Sequence, residues 1–201
     1  MSHPAGQPSA RYTYSDYLTW PEDTRWELIG GVAYAMAAAP TTRHQSVVQN
    51  LAGLLFNHFR GKPCRPFVAP TDVKLSEHDV VQPDLLVVCE RGKIGEAAIQ
   101  GAPDWVIEVV SPASEARDRR EKRALYERFS VPEYWIASPN GFVEAYRLAE
   151  DGHYGVPVIA GLGESVTSLQ FPALTISVDD IFEGIDVPRP PHLHPPRTTK
   201  E

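Results

Sequence analysis

Apolar residues recur along this chain in two rhythms. In residues 42–59 they return every three or four positions. Val47, Val48, Leu51, Leu54, Leu55 and Phe59 fall on one stripe, which predicts a helix stopped by Gly61 and Pro63. Two other stretches are apolar almost without a break. Asp84-Leu85-Leu86-Val87-Val88-Cys89 and Trp105-Val106-Ile107-Glu108-Val109-Val110 predict strands covered on both faces, as at the centre of an α/β sheet. Gly30-Gly31 between apolar runs predicts a hairpin over residues 25–35. Residues 14–18 predict a short helix with Ser15 as its cap, and 67–75 a strand broken near Pro70. A second clear helix is predicted over 114–129, ended by Val131-Pro132. Strands over 133–137 and 142–148 flank Pro139-Asn140-Gly141, and 165–169 and 174–178 are weaker strand candidates. The order predicts an α/β chain with a mixed sheet flanked by helices.

Composition narrows this further. A chain of 201 residues suits one domain, placed here at 11–187. A loose N-terminal arm over 1–10 and a disordered Pro-rich tail over 188–201 flank it. No apolar run approaches the ~18 residues needed to span a membrane, and the N-terminus does not read as a signal peptide. The expected setting is therefore cytoplasmic, with no membrane partner. Cys64 and Cys89 lack metal-type spacing, and each reads as a core residue in a reducing compartment. The net charge of −7 argues against a broad basic surface for nucleic acid. It leaves room for an enzyme that meets phosphates through bound cations.

The candidate chemistry starts at Glu108, a carboxylate inside a core-like strand. Burying it unpaired costs several kcal/mol or forces protonation, so an Arg, a Lys, a hydrogen-bond network or a metal must compensate. A structural ion pair or a solvent-facing strand end is the plain alternative. Asp84 opens the other buried strand after Gln82-Pro83. If the two strands are neighbours, both acids enter one cleft, and a divalent ion would relieve their repulsion. Hard oxygen ligands favour Mg²⁺ or Mn²⁺. Lys122 lies on the following helix and shares a face with Asp118 and Tyr126 at i, i+4, i+8 spacing. The competing reading is a solvated, charge-rich helix face. Tyr126 and Trp135 read as core.

Several segments in order resemble the Uma-two family of restriction-endonuclease-like proteins, within the PD-(D/E)XK nuclease superfamily. They are Trp26-Glu27-Leu28-Ile29-Gly30-Gly31, Arg43-His44-Gln45, Val81-Gln82-Pro83-Asp84-Leu85, Val106-Ile107-Glu108-Val109-Val110-Ser111-Pro112, Glu121-Lys122 and Glu133-Tyr134-Trp135-Ile136. The resemblance runs over about 14–182. It implies a PD-(D/E)XK restriction-endonuclease-like core and a Mg²⁺-dependent DNA endonuclease. A homodimer is the expected assembly, since cutting both strands usually needs two sites and cyclic pairs are the commonest oligomers. Asp84, Glu108 and the backbone carbonyl of Val109 would hold the metal. Lys122 would be the catalytic lysine, Glu27 would complete the acidic site, and His44 would contact the phosphate or orient Glu27. One feature departs from the superfamily: the lysine position two residues after the acid is Val110. Lys122 takes its place, with Lys74 as substitute. The alternative is a catalytically decayed nucleic-acid-binding or assembly module of the same fold, and a small-phosphoester hydrolase is a further rival.

Overall fold

The structure is a computed structural model that describes residues 11–21, 24–36 and 39–187. The predicted arm over 1–10 and tail over 188–201 lie outside the described residues.

A short helix α1 (Tyr14–Tyr17) precedes the hairpin β1 (Trp26–Ile29) and β2 (Val32–Ala35). Gly30 and Gly31 both take positive φ, 59° and 78°, which the tight turn between these strands requires. Thr13, not Ser15, caps α1. Its hydroxyl accepts from Asp16 N–H while the Asp16 carboxylate returns to the Thr13 N–H. Helix α2 (Thr42–Phe59) follows, with Val47, Val48, Leu51, Leu55 and Phe59 buried and Leu54 half-buried.

The stretch predicted as one interrupted strand becomes two strands in different sheets. These are β3 (Arg65–Val68) and β4 (Val73–Ser76), with Pro70 between them. Then come β5 (Asp79–Val81), β6 (Leu85–Val88), the two-residue β7 (Ile99–Gln100) and β8 (Trp105–Val109). The predicted second helix is three pieces: α3 (Glu115–Arg117), one wider π-helical turn over Asp118–Lys122, and α4 (Arg123–Arg128). The described residues continue through β9 (Glu133–Ser138), β10 (Phe142–Arg147), β11 (Val158–Gly161), β12 (Ser165–Thr167), β13 (Thr175–Ser177) and α5 (Val178–Ile181).

Two larger sheets result. The six-stranded one runs β11-β10-β9-β8-β6-β3, and only β8 and β9 in it are parallel. The five-stranded one runs β2-β1-β5-β4-β7, and β12 and β13 pair as a separate hairpin. Every residue of β6 and β8 is buried, as their apolar runs predict. Strand alternation divides them between two cores. Leu85, Val87, Trp105, Ile107 and Val109 pack with α2 and α5. Leu86, Val88, Val106 and Val110 pack with Leu125, Tyr126 and Tyr134 on the other face. Glu108 falls between Val106 and Val110 and so points to this second face.

The two cysteines are not separate core residues. Each is half-buried, and they form a disulfide across the antiparallel β3–β6 pair, one step beyond Arg65 opposite Val88. Hydropathy could not show this, because it does not report which strands pair. Among the described residues, no helix is long and apolar enough to cross a membrane.

Candidate active site

Antiparallel pairing sets Leu85 opposite Ile107, so one further step sets Asp84 beside Glu108. Such neighbours lie roughly 5 Å apart at Cβ. Asp84 is fixed by the Val109 N–H, which donates to its Oδ2 at 2.8 Å. Glu108 enters from the end of β8, and the helix that follows doubles back over it. There Lys122, only 4% exposed, places its ammonium 2.8 Å from Glu108 Oε1. The Tyr126 hydroxyl donates to the same oxygen at 2.9 Å. The competing picture of a solvated Lys122 therefore fails.

Glu27 arrives from the other sheet. Its Oε1 lies 2.8 Å from Lys122 Nζ and accepts the Gln82 N–H at 3.0 Å. It is 1% exposed, not the surface hairpin glutamate that its place beside a turn would ordinarily make it. His44 sits in the first turn of α2, where Thr41 caps its N–H, and its ring reaches out to Asp84 Oδ2 at 3.2 Å. Lys74 is elsewhere: it pairs with Glu77 and lies over the Tyr14 ring. Val110 is buried in the apolar core, so no lysine extends from that point of β8.

Three contributors were not assigned to the site from the sequence. Asp118 is 2% exposed, with Oδ1 3.7 Å from Lys122 Nζ. Its i, i+4 spacing to Lys122 was a visible signal, but the charge-rich helix around it reads as solvated. The π-helical turn holds both residues on the buried side, and the Tyr134 hydroxyl braces it by donating to the Asp118 carbonyl. Arg117 lies over the Tyr34 ring with Nη1 3.9 Å from Glu27 Oε2. Tyr126, read as core, is core and also holds Glu108.

Glu27, His44, Asp84, Glu108, Arg117, Asp118 and Lys122 line one cleft of about 230 Å³, with Arg25, Gln82, Ser111 and Ser114 also on its wall. Four carboxylates, Glu27, Asp84, Glu108 and Asp118, surround it. Burial pushes Glu108 well above the usual carboxylate range; Lys122 pulls it down, and the other three acids push it up again. Burial raises Asp118 too, against Lys122 and Ser114. Burial works against the Lys122 ammonium, but Glu108, Glu27 and Asp118 together hold its pKa well above the lysine value. Burial also opposes protonation of His44. The Asp84 contact, helped by the Val109 backbone and the Asp118 charge, outweighs it and raises the ring above its ordinary value.

This donor set suits one hard divalent cation. Both hydrogen bonds to Glu108 fall on Oε1, and both Asp84 contacts fall on Oδ2. The second oxygen of each acid is then available to a cation. Val109, whose N–H holds Asp84, also lines the cleft. Among the described residues, no three His, Cys, Asp or Glu side chains converge to hold an ion on their own. Two carboxylates fit the way Mg²⁺ is usually held, because it keeps several of its waters.

Comparison with known proteins places this geometry in a family. The model of the Uma2 family, described as "Putative restriction endonuclease", matches residues 14–179. An uncharacterised protein of Synechocystis, slr1290, is 25% identical over 192 residues, covering 92% of this chain and 98% of its own length. A crystal structure from Anabaena variabilis, titled a putative nuclease belonging to DUF820, superposes with a TM-score of 0.69. It is 21% identical and covers 85% of this chain and 97% of its own. At that identity the likeness speaks for the fold.

Proposed function

The chain belongs to the Uma2 family, and on that premise we propose that it is a Mg²⁺- or Mn²⁺-dependent endonuclease that hydrolyses DNA phosphodiesters. The observation that carries this reading is the excess of buried acid around Lys122. One ammonium faces Glu27, Glu108 and Asp118, with Asp84 beside Glu108. A fold built for stability alone gains little from such a cluster, because desolvation offsets the attraction.

Asp84, Glu108 and the Val109 carbonyl would hold the cation. When bound, it would polarise a phosphate oxygen and lower the pKa of a bound water. The raised pKa of Lys122 makes it a charge-stabilising donor and not a base. Glu27 and Glu108 fix two of its N–H bonds, and the third orients the attacking water or the phosphate. Glu27 is itself immobilised by the Gln82 N–H. His44, whose charged form the Asp84 contact favours, would face the phosphate, and Arg117 would add a guanidinium at the rim. A two-fold dimer would bring two such clefts to the two strands. The expected cytoplasmic, reducing setting stands against the Cys64–Cys89 disulfide, a bond that persists in oxidising environments.

The test is plasmid nicking with Mg²⁺ or Mn²⁺, set against hydrolysis of nucleotide monoesters. Asp84→Ala is expected to abolish nicking and to leave the circular dichroism spectrum unchanged. Metal-dependent nicking at the wild-type rate in that variant would refute the assignment. Metal-dependent monoester hydrolysis without nicking would favour a small-phosphoester hydrolase. Binding of DNA without cleavage would favour a decayed module.

A further inference from the structure

Away from the cleft, a pocket of about 620 Å³ opens between the end of α2, the start of β3 and the turn after β6. Its charged lining is Arg60, Lys62, Arg65 and Arg91, with no acid among the lining residues. All four are exposed. In a chain of net charge −7, this is a local reversal of sign.

Helix electrostatics explains half of it. Arg60 and Lys62 follow the C-terminus of α2, where cations are favoured. Lys62 Nζ also sits 2.8 Å from His58 Nε2. Arg65 and Arg91 have no such reason to be there. They come from β3 and from a 3-10 turn (Arg91–Lys93), and neither makes an ion pair among the described residues. The disulfide fastens their supports together: Cys64 precedes Arg65, and Cys89 lies just before Arg91 on the chain. Phe56, 60% exposed, adds an open ring to the wall.

The position relates this pocket to the cleft. Arg65 pairs with Val88, and β6 runs from there back to Asp84, while Pro70, just past the other end of β3, lines the cleft. At roughly 3.3 Å per residue the four steps from Val88 to Asp84 span about 13 Å. Along α2, His44 of the cleft and Arg60 of the pocket lie 16 residues apart, about 24 Å at roughly 1.5 Å per residue. A nucleic-acid strand rising ~3.4 Å per nucleotide covers these distances in about four to seven nucleotides.

We propose that Arg60, Lys62, Arg65 and Arg91 form a second contact for the phosphate backbone of duplex DNA, about four to seven nucleotides from the bond held in the Asp84–Glu108 cleft. The proposal rests on the nuclease reading. Backbone phosphates fit because the four cations sit on an open surface, and such contacts position a duplex without reading its sequence.

The experiment measures binding of the wild-type protein and the Arg65→Ser/Arg91→Ser double variant to a fluorescent duplex of about 30 base pairs. It is run in EDTA across a salt series. Losing two phosphate contacts should make the slope of log K against log salt shallower by about 1.8 and weaken low-salt binding on the order of tenfold or more. A matching thermal melt would show that the variant is folded. In Mg²⁺, both proteins should cut a duplex ending about three base pairs from the cut equally well, and the variant should be slower only on the long duplex. Equal affinity and equal slope for the two proteins overturn the proposal, as does a wild-type protein that binds no duplex. Binding that depends on the arginines without any metal-dependent cleavage keeps the contact and sinks the nuclease reading. Cleavage of long and short duplex at wild-type rates by the variant does the reverse.

Discussion

Glu108 and Glu133 are buried carboxylates on neighbouring parallel strands of one sheet, yet their surroundings have opposite character. Glu133, fully buried at the start of β9, is closed by four neutral donors. The Trp135 indole and the Leu169 N–H donate to Oε1, and the Ser168 hydroxyl and the Gln170 N–H donate to Oε2. Both its oxygens are used, and no cleft reaches it among the pockets described. Glu108, at the end of β8, is satisfied on one oxygen only and shares a single lysine with Glu27 and Asp118. The first carboxylate is complete and ties the β12–β13 connection to the sheet. The second belongs to a group in which three buried acids share one ammonium and one oxygen of Glu108 stays open. That contrast separates a structural acid from a functional one better than burial does.

The contrast breaks most visibly under substitution. Glu108→Gln should reduce nicking on the order of a thousandfold or more, as loss of charge-bearing groups at such sites does. It should leave the melting temperature unchanged or raised, because one repelling charge is removed. Glu133→Ala should do the opposite. It strands four donors, with a loss of about 3–5 kcal/mol and a melting temperature lower by roughly 10 °C. Parallel nicking assays and calorimetry on the two variants decide the matter. A Glu108→Gln protein that loses stability as Glu133→Ala does would make both acids structural.

Lys122→Met sharpens the same comparison through pH. Without its ammonium, three buried carboxylates must take up protons or repel, at a cost of about 3–5 kcal/mol. Glu108 and Asp118 already have raised pKa values. Between the ordinary value, 4.5 for Glu108, and the raised one, the folded protein binds more protons than the unfolded chain, so stability falls as pH rises. Denaturant titrations should therefore find the variant close to wild type near pH 5 and far weaker near pH 8. A deficit that does not change with pH would mean that Lys122 acts through packing. Lys74→Ala is the smallest effect: a change of less than about twofold in nicking, since Lys74 is committed to Glu77 and the Tyr14 ring.

Much of this was legible in the sequence where periodicity carries the message. Helix α2 has its predicted limits of 42–59, and β6 and β8 are the buried strands that their apolar runs predict. Glu108 was conspicuous because a charge inside such a run demands a partner. The division into two sheets was not legible: Pro70 marks a break, but nothing local says that β3 and β4 then join different sheets. Small strands such as β5 and β7 escaped because two or three residues give no period. The π-helical turn is invisible to a pattern read at 3.6 residues per turn, so Asp118 passed for surface charge. The cysteine pair escaped for a related reason. Pairing across β3 and β6 is a property of register, and hydropathy leaves register unstated.

Anomalous diffraction from crystals soaked in Mn²⁺ is the most direct test. The account predicts a peak between the carboxylates of Asp84 and Glu108, within bonding reach of the Val109 carbonyl, with the Lys122 ammonium beside it. No peak there at millimolar Mn²⁺, with Lys122 and His44 still holding the two acids, would contradict it.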